Sequence, residues 1–250
     1  MAQHFRFKSA GLTHEGLVRE RNEDAHLVRD GAGLWIVADG MGGHDNGQWA
    51  AETVVAAVAK ARLTGKLDAD VAAVEAAIAE ANATILEKAT AAGRTMGSTV
   101  VALLIQEGRF ACLWCGDSRI YRLTGGRLAQ VTRDHTQIQD MLERGVLTAR
   151  EAEGHPMSHV LSHAIGVETP IRLDRVVGEV GERDAFLLCS DGLTDVVSDA
   201  EISAELAGLA PGRAGRRLLD LVMERGAPDN VTVVAVVCEE MTAVTFSGGT

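Results

Sequence analysis

The spacing of apolar and polar positions changes several times along the chain, and each change marks a predicted element. Short apolar runs bounded by turn residues at 5–11, 25–28 and 34–38 read as strands, with Asp30-Gly31-Ala32-Gly33 as a hairpin signal between the last two. The period then lengthens. Over 48–62 and again over 68–92, Ala-rich sequence with apolar positions three and four apart predicts two long helices, broken at 63–67 around Gly65. Strand patterns return at 98–105, 109–115, 119–123 and 128–131, with Glu107-Gly108 and Gly125-Gly126 placed for tight hairpin turns.

Residues 135–144 read as a short helix, and Thr148 with Glu151 forms a capping box that opens another. The stretch 154–166 holds His155, His159 and His163 without a clear period and reads as a long excursion. Strands at 172–180 and 185–189 follow. A second capping box, Ser198 with Glu201, opens a helix to 207. A helix over 212–225 and a strand over 231–237 complete the pattern. The chain is expected to form one domain over 1–240, with 241–250 a frayed tail. Strands and helices come in blocks rather than in strict alternation, which predicts the α+β class with antiparallel sheets.

Composition narrows the function. With 46% apolar residues over 250 positions the chain can bury a sizeable core. A formal net charge of −11 argues against a nucleic-acid or anionic-membrane partner, because both need clustered Lys and Arg. No apolar run approaches the roughly 20 residues that span a bilayer, and residues 1–7 lack a secretory core. A soluble, cytoplasmic protein is expected, monomeric by default. Cys112 and Cys115 form a Cys-x-x-Cys pair inside a strand pattern and are expected to be core residues rather than metal ligands.

Candidate chemistry lies where apolar runs end or begin. Asp39 follows 34–38, Asp117 follows 109–115, Asp191 follows 185–189, and Asp229 precedes 231–237. In antiparallel sheets one strand's end lies beside its neighbour's beginning, so these four acids can meet at one edge of the core. Carboxylates gathered in this way repel unless a cation intervenes. A hard divalent ion with oxygen ligands, Mg²⁺ or Mn²⁺, suits a set without a Cys or His cluster. Gly40 lets the backbone turn and can bring its carbonyl to such an ion. Asp30-Gly31 shows that an Asp-Gly turn alone carries no such meaning.

Six blocks in order carry a resemblance: VRERNED at 18–24, VADGMGGH at 37–44, GSTVV at 97–101, GDSR at 116–119, CSDGL at 189–193 and DNVT at 229–232. In these the chain resembles the type 2C-like metal-dependent Ser/Thr protein phosphatases, in their bacterial stand-alone form. The resemblance implies a four-layer αββα sandwich of two antiparallel β-sheets flanked by helices. It also implies a binuclear Mn²⁺ or Mg²⁺ centre. Asp39 would bridge the two ions, the Gly40 carbonyl would ligate one, and Asp191 and Asp229 would complete the other. Glu23 and Asp24 would hold metal-bound waters, and Asp117 with Asp191 would hold a third, weaker ion. Arg19 matches the arginine that contacts the substrate phosphate, for which a planar, always-charged fork is suited.

Implied partners are phosphorylated proteins and a cognate Ser/Thr kinase. Met41 stands where eukaryotic members carry a histidine, and His44 is a candidate proton donor. His159 and His163 stand where other polar residues are more common in the family's flap, and can sense pH or touch substrate. Three rivals stay open on sequence: an antagonist phosphatase of the anti-sigma type, a catalytically silent phosphoprotein-binding module, and a metal-binding structural protein.

Overall fold

The computed structural model describes residues 5–43, 45–152, 154–208 and 210–240. Strand β1 (Phe5–His14) pairs along its full length with β11 (Val231–Glu240). Next to β11 come β10 (Ala185–Cys189), β7 (Arg119–Thr124) and β8 (Arg127–Gln130), giving one sheet in the order β1-β11-β10-β7-β8. The second sheet runs β2 (Asp24–Arg29), β3 (Leu34–Met41), β5 (Val100–Gln106), β6 (Arg109–Cys115) and β9 (Asp174–Glu179), with the short β4 (Gly97–Ser98) paired to the end of β3. All of these pairings are antiparallel.

The layers follow from the period-2 geometry of strands. In β3, Trp35 and Val37 face inward and pack with Leu103, Phe110, Phe186 and Val234 between the two sheets. The alternate residues Leu34, Ile36 and Ala38 face outward, beneath helices α1 (Asp45–Ala59) and α2 (Leu67–Ala92). On the other sheet Leu187, Val233 and Ala235 face outward against Leu218 and Val222 of α7 (Pro211–Glu224) and Ile202 of α6 (Asp199–Leu206). Both faces of the central strands are buried. Their sequences are therefore continuous apolar runs rather than alternating ones. The expected four-layer αββα sandwich is the observed architecture.

Several boundaries differ from those read off the sequence. β1 continues to His14 because the β11 partner extends the ladder, with Leu12 packed against the outer cluster. The strand expected at 172–180 begins only at Asp174, since it is an edge strand paired with β6 alone. The short helix expected at 135–144 is α3 (Gln137–Glu143), capped by Thr136. Both capping boxes form, but Thr148 and Glu151 open only the single turn α4 (Ala149–Ala152). A turn of helix that the apolar pattern did not signal, α5 (Asp191–Thr194), follows β10 at once. Cys112 and Cys115 are buried in the core. The expected tail at 241–250 and the candidate proton donor His44 lie outside the described residues.

Candidate functional site

The acids converge at one end of the sandwich, and they come from both sheets rather than from one sheet edge. Asp24 is the first residue of β2 and sits directly across from Asp39 of β3. On the other sheet β10 and β11 are antiparallel neighbours, with Cys189 opposite Val233. Asp191, just after β10, therefore lies beside Asp229, just before β11. The two pairs face each other. Ser190 Oγ donates to Asp24 Oδ2 at 2.8 Å, and the Asp191 charge acts on the Asp39 carboxyl. Asp117 sits in the turn where the chain crosses from β6 to β7, and so from one sheet to the other.

Backbone geometry sets these side chains in place. The Asp39 N–H donates to Thr99 Oγ1 at 3.0 Å, and its carbonyl accepts from the Thr99 N–H at 2.8 Å and Ser98 Oγ at 3.1 Å. Thr99 Oγ1 also lies 2.7 Å from Ser118 Oγ, which ties the Asp39 segment to the Asp117 turn. Gly40 is needed for close approach rather than for its φ. A Cβ there would lie 2.0 Å from the Gly47 carbonyl oxygen and 2.7 Å from that of Glu23. Gly47, in the first turns of α1, has the same constraint, since its Cβ would lie 2.1 Å from Glu23 Oε2.

Asn230 works as a clamp. Its Nδ2 donates to the carbonyls of Glu15 and Arg21 at 2.8 and 2.7 Å, and its Oδ1 accepts from the Glu23 N–H at 2.8 Å. The loop that carries Arg19 is thereby pinned to the turn that carries Asp229.

The result is a cleft of about 510 Å³ whose lining includes Arg19, Glu23, Asp39, Gly40, Asp191 and Asp229. Of the residues singled out by sequence, those six and Met41 line it, while Asp24 and Asp117 are not in the lining and are buried, 8% and 9% exposed. His159 also lines the cleft. Its Nδ1 is 3.4 Å from Asp195 Oδ2, and ligand atoms of His159, Asp191 and Asp195 all lie within 4.8 Å of one another. His163 is turned instead to Glu168, at 2.5 Å, and Arg172. His155 accepts from the Met157 N–H inside its own turn.

The acids oppose one another strongly. Burial first, then the charges of Asp24, Asp191 and Asp117, holds the Asp39 carboxyl well above the usual carboxylate range. Asp117 is raised in the same direction by burial and by Asp191. Burial pushes Asp24 up to about 7, and burial with Asp195 and Asp229 nearby pushes Asp191 up to about 6. Arg19 supplies a cationic counterweight, donating from Nη2 to Asp229 Oδ2 at 2.6 Å, and this bond raises its own pKa. Among the described residues, Asp24 Oδ1 is buried without a hydrogen-bond partner. A donor set dominated by carboxylate oxygens, raised carboxyls and an orphaned buried oxygen together fit hard divalent cations.

Sequence reading missed Asn230, Thr99, Gly47 and Asp195 as parts of this construction. Asn230 and Thr99 fall inside the motif blocks, and that is the signal that marks them. Gly47 and Asp195 matter only through non-local contacts.

The protein phosphatase 2C family profile matches residues 13–227. The chain belongs to the protein phosphatase 2C family. It is 40% identical over 233 residues to the serine/threonine protein phosphatase PstP of Mycobacterium tuberculosis, which covers 90% of this chain and 44% of that protein. The chain thus spans less than half the length of this curated relative. Among solved structures, PppA, a key regulatory component of T6SS in Pseudomonas aeruginosa, superposes with a TM-score of 0.86 at 38% identity, over 94% of this chain and 98% of that one. The catalytic domain of PstP in complex with two manganese ions superposes with a TM-score of 0.84 at 33% identity, over 94% and 100%. The family resemblance and the sandwich expected from the six blocks are both borne out. Among the described residues no helix is long and apolar enough to cross a membrane.

Proposed function

We propose that this chain is a metal-dependent protein serine/threonine phosphatase, acting on phosphoserine and phosphothreonine with Mn²⁺ or Mg²⁺, and carried by residues 1–240. The observation that supports it is the meeting of Asp39, Asp191 and Asp229 with Arg19 in one cleft. Asp39, the Gly40 carbonyl, Asp191 and Asp229 would hold two cations, and Asp117 with Asp191 a weaker third. Bound there, such cations acidify water into a nucleophile and offset charge on phosphoryl oxygens.

The chain's own residues orient and balance the reaction. Arg19 presents a planar fork to the phosphoryl oxygens, on a loop that Asn230 holds still. Glu23 and Asp24 stand behind the ligands as acceptors that fix the positions of waters. Ser190 Oγ, which accepts from the Thr232 N–H at 3.0 Å, keeps Asp24 Oδ2 in place. The substrates are phosphorylated proteins, the opposing activity is a cognate Ser/Thr kinase, and the setting is the cytoplasm. The protein acts as a monomer without nucleic-acid or membrane partners.

Hydrolysis of para-nitrophenyl phosphate tests the reading. Turnover is expected with Mn²⁺, and is expected to vanish with chelator and in Asp39→Asn. Purified protein with Mn²⁺ but no Asp39-dependent turnover would overturn it and favour a silent binding module.

A further inference from the structure

We propose that Arg29, Lys60 and Arg62 form an accessory anion site that takes a phosphoryl group, at the far end of β3 and α1 from the cleft. The inference goes beyond the phosphatase reading and does not depend on turnover.

A cavity of about 620 Å³ opens where β2, β5 and α1 end and β3 begins. Its lining includes Arg29, Lys60 and Arg62 but no carboxylate. The chain carries 35 acids against 24 Lys and Arg, so composition alone would favour the opposite sign. Asp39 and the start of α1 lie at the other end of the same elements. At about 3.3 Å per strand residue and 1.5 Å per helix residue, the cavity stands roughly 20 Å from the cleft.

Basic residues at a helix C-terminus often serve only the helix dipole, and Arg29 does part of that. Its Nη1 donates to the Ala59 carbonyl at 3.0 Å, at the end of α1. That bond fixes the half-buried guanidinium and leaves most of its N–H donors unused. Lys60 and Arg62 have no such task. Among the described residues neither side chain makes a hydrogen bond or ion pair, and Arg29 has no carboxylate partner.

The acids close by in sequence are turned to other partners. Asp70 is buried; its Oδ1 accepts from the Thr64 N–H at 2.6 Å and its Oδ2 from the Gly65 N–H at 3.0 Å. It therefore sets the loop after α1 rather than pairing with Arg62. Asp30 Oδ1 accepts from Trp35 Nε1 at 2.9 Å, and Asp68 lies 3.5 Å from Arg109. Glu107 is exposed and outside the lining. The carbonyls of Ala59 and Ala32 are occupied too, the latter by Gln106 Nε2 at 2.8 Å. At Gly31 and Gly65 an added Cβ would meet nothing within 4 Å, so the approach is open.

One cation suffices for a carboxylate. Three around one cavity, one of them a fixed planar fork, suit the double charge and three oxygens of a phosphoryl group. Its source is a phosphorylated segment of a protein or free phosphate, and relative affinity separates the two.

NMR of the backbone amides and arginine side chains in the Mg²⁺-loaded full chain tests this with two probes. One is inorganic phosphate. The other is a peptide with a non-hydrolysable phosphonate in place of a phosphothreonine phosphate. Saturable shifts are expected at residues 29–32 and 59–65, distinct from any at 39–43 in the cleft, and weakened by added salt. Arg19→Ala should leave them in place, whereas Lys60→Ala/Arg62→Ala should weaken binding about tenfold or more. Arg62→Gln serves if the double variant does not fold. Tighter binding of the peptide than of phosphate assigns the site to phosphoproteins, and equal affinity assigns it to the free anion. A Glu-containing peptide that binds as tightly as the phosphonate overturns the phosphoryl assignment. No saturable shift at 29–32 and 59–65, or unchanged affinity in the Lys60 and Arg62 variants, overturns the site. Absence of para-nitrophenyl phosphate turnover would overturn the phosphatase reading and leave these shifts as they are.

Discussion

Arg19 Nη2 donates to Asp229 Oδ2 at 2.6 Å, so one of the two arginines lining the cleft is held by an acid proposed as a metal ligand. The side chains are 57% and 37% exposed, and an ion pair that open contributes little to stability. Its value is positional. Arg19→Ala is expected to raise KM for phosphorylated substrates about tenfold or more while leaving the thermal midpoint nearly unchanged. Arg19→Lys should restore charge but not the fork, and so recover only part of the loss. Steady-state kinetics beside thermal unfolding checks both. A large fall in thermal midpoint with unchanged KM would show that Arg19 is structural.

The raised acids give metal removal a pH signature. In the folded chain Asp24 is pushed up to about 7 and Asp191 to about 6, against about 3.9 for an unfolded aspartate. Between those values the folded state binds more protons than the unfolded state, so stability falls as pH rises. The metal-free protein should therefore lose thermal stability from about pH 4 to pH 7. Mn²⁺ bound among these acids would take the place of the protons, and its stabilising effect should grow over the same window. Glu201, lowered to about 2 by Arg225 and Ser198, acts in the opposite sense at the acid end, and His26 and His135, lowered by burial, oppose the trend just below about pH 6.5, but the raised Asp39 and Asp117 add to it. Melting curves with chelator and with Mn²⁺ across this range decide it. A chelated protein that gains stability toward neutral pH would contradict the assignment.

Gly47 supports Glu23 by having no side chain. In Gly47→Ala the new Cβ would sit 2.1 Å from Glu23 Oε2, so the carboxylate or the start of α1 must move. Weaker Mn²⁺ binding and lower turnover are expected. Gly212→Ala is the control, since its Cβ would meet only the Ala10 Cβ at 3.8 Å, an ordinary contact. It should leave metal binding untouched and stabilise the helix slightly. Calorimetric titration of both variants with Mn²⁺ separates them, and equal affinities would remove Gly47 from the site.

Elements whose signals are local could be read from the chain's residues alone. Continuous apolar runs such as 34–38 marked strands that are buried on both faces, and Ser198 with Glu201 marked a helix start through a contact spanning one turn. Asp39, Asp191 and Asp229 were legible because each sits at a strand end within a short motif, and the family could be read from six such motifs in order. How distant segments meet is set by packing of the folded domain. The acids divide between two sheets, with Asp24 opposite Asp39 and Asp191 beside Asp229, because strand order and register arise from packing across the whole domain. The Arg19–Asp229 pair, the Asn230 clamp and the His159–Asp195 contact join residues 210, 215, 209, 207 and 36 positions apart. No local spacing rule encodes such pairs. They exist only once burial of the three apolar layers has fixed where each loop emerges.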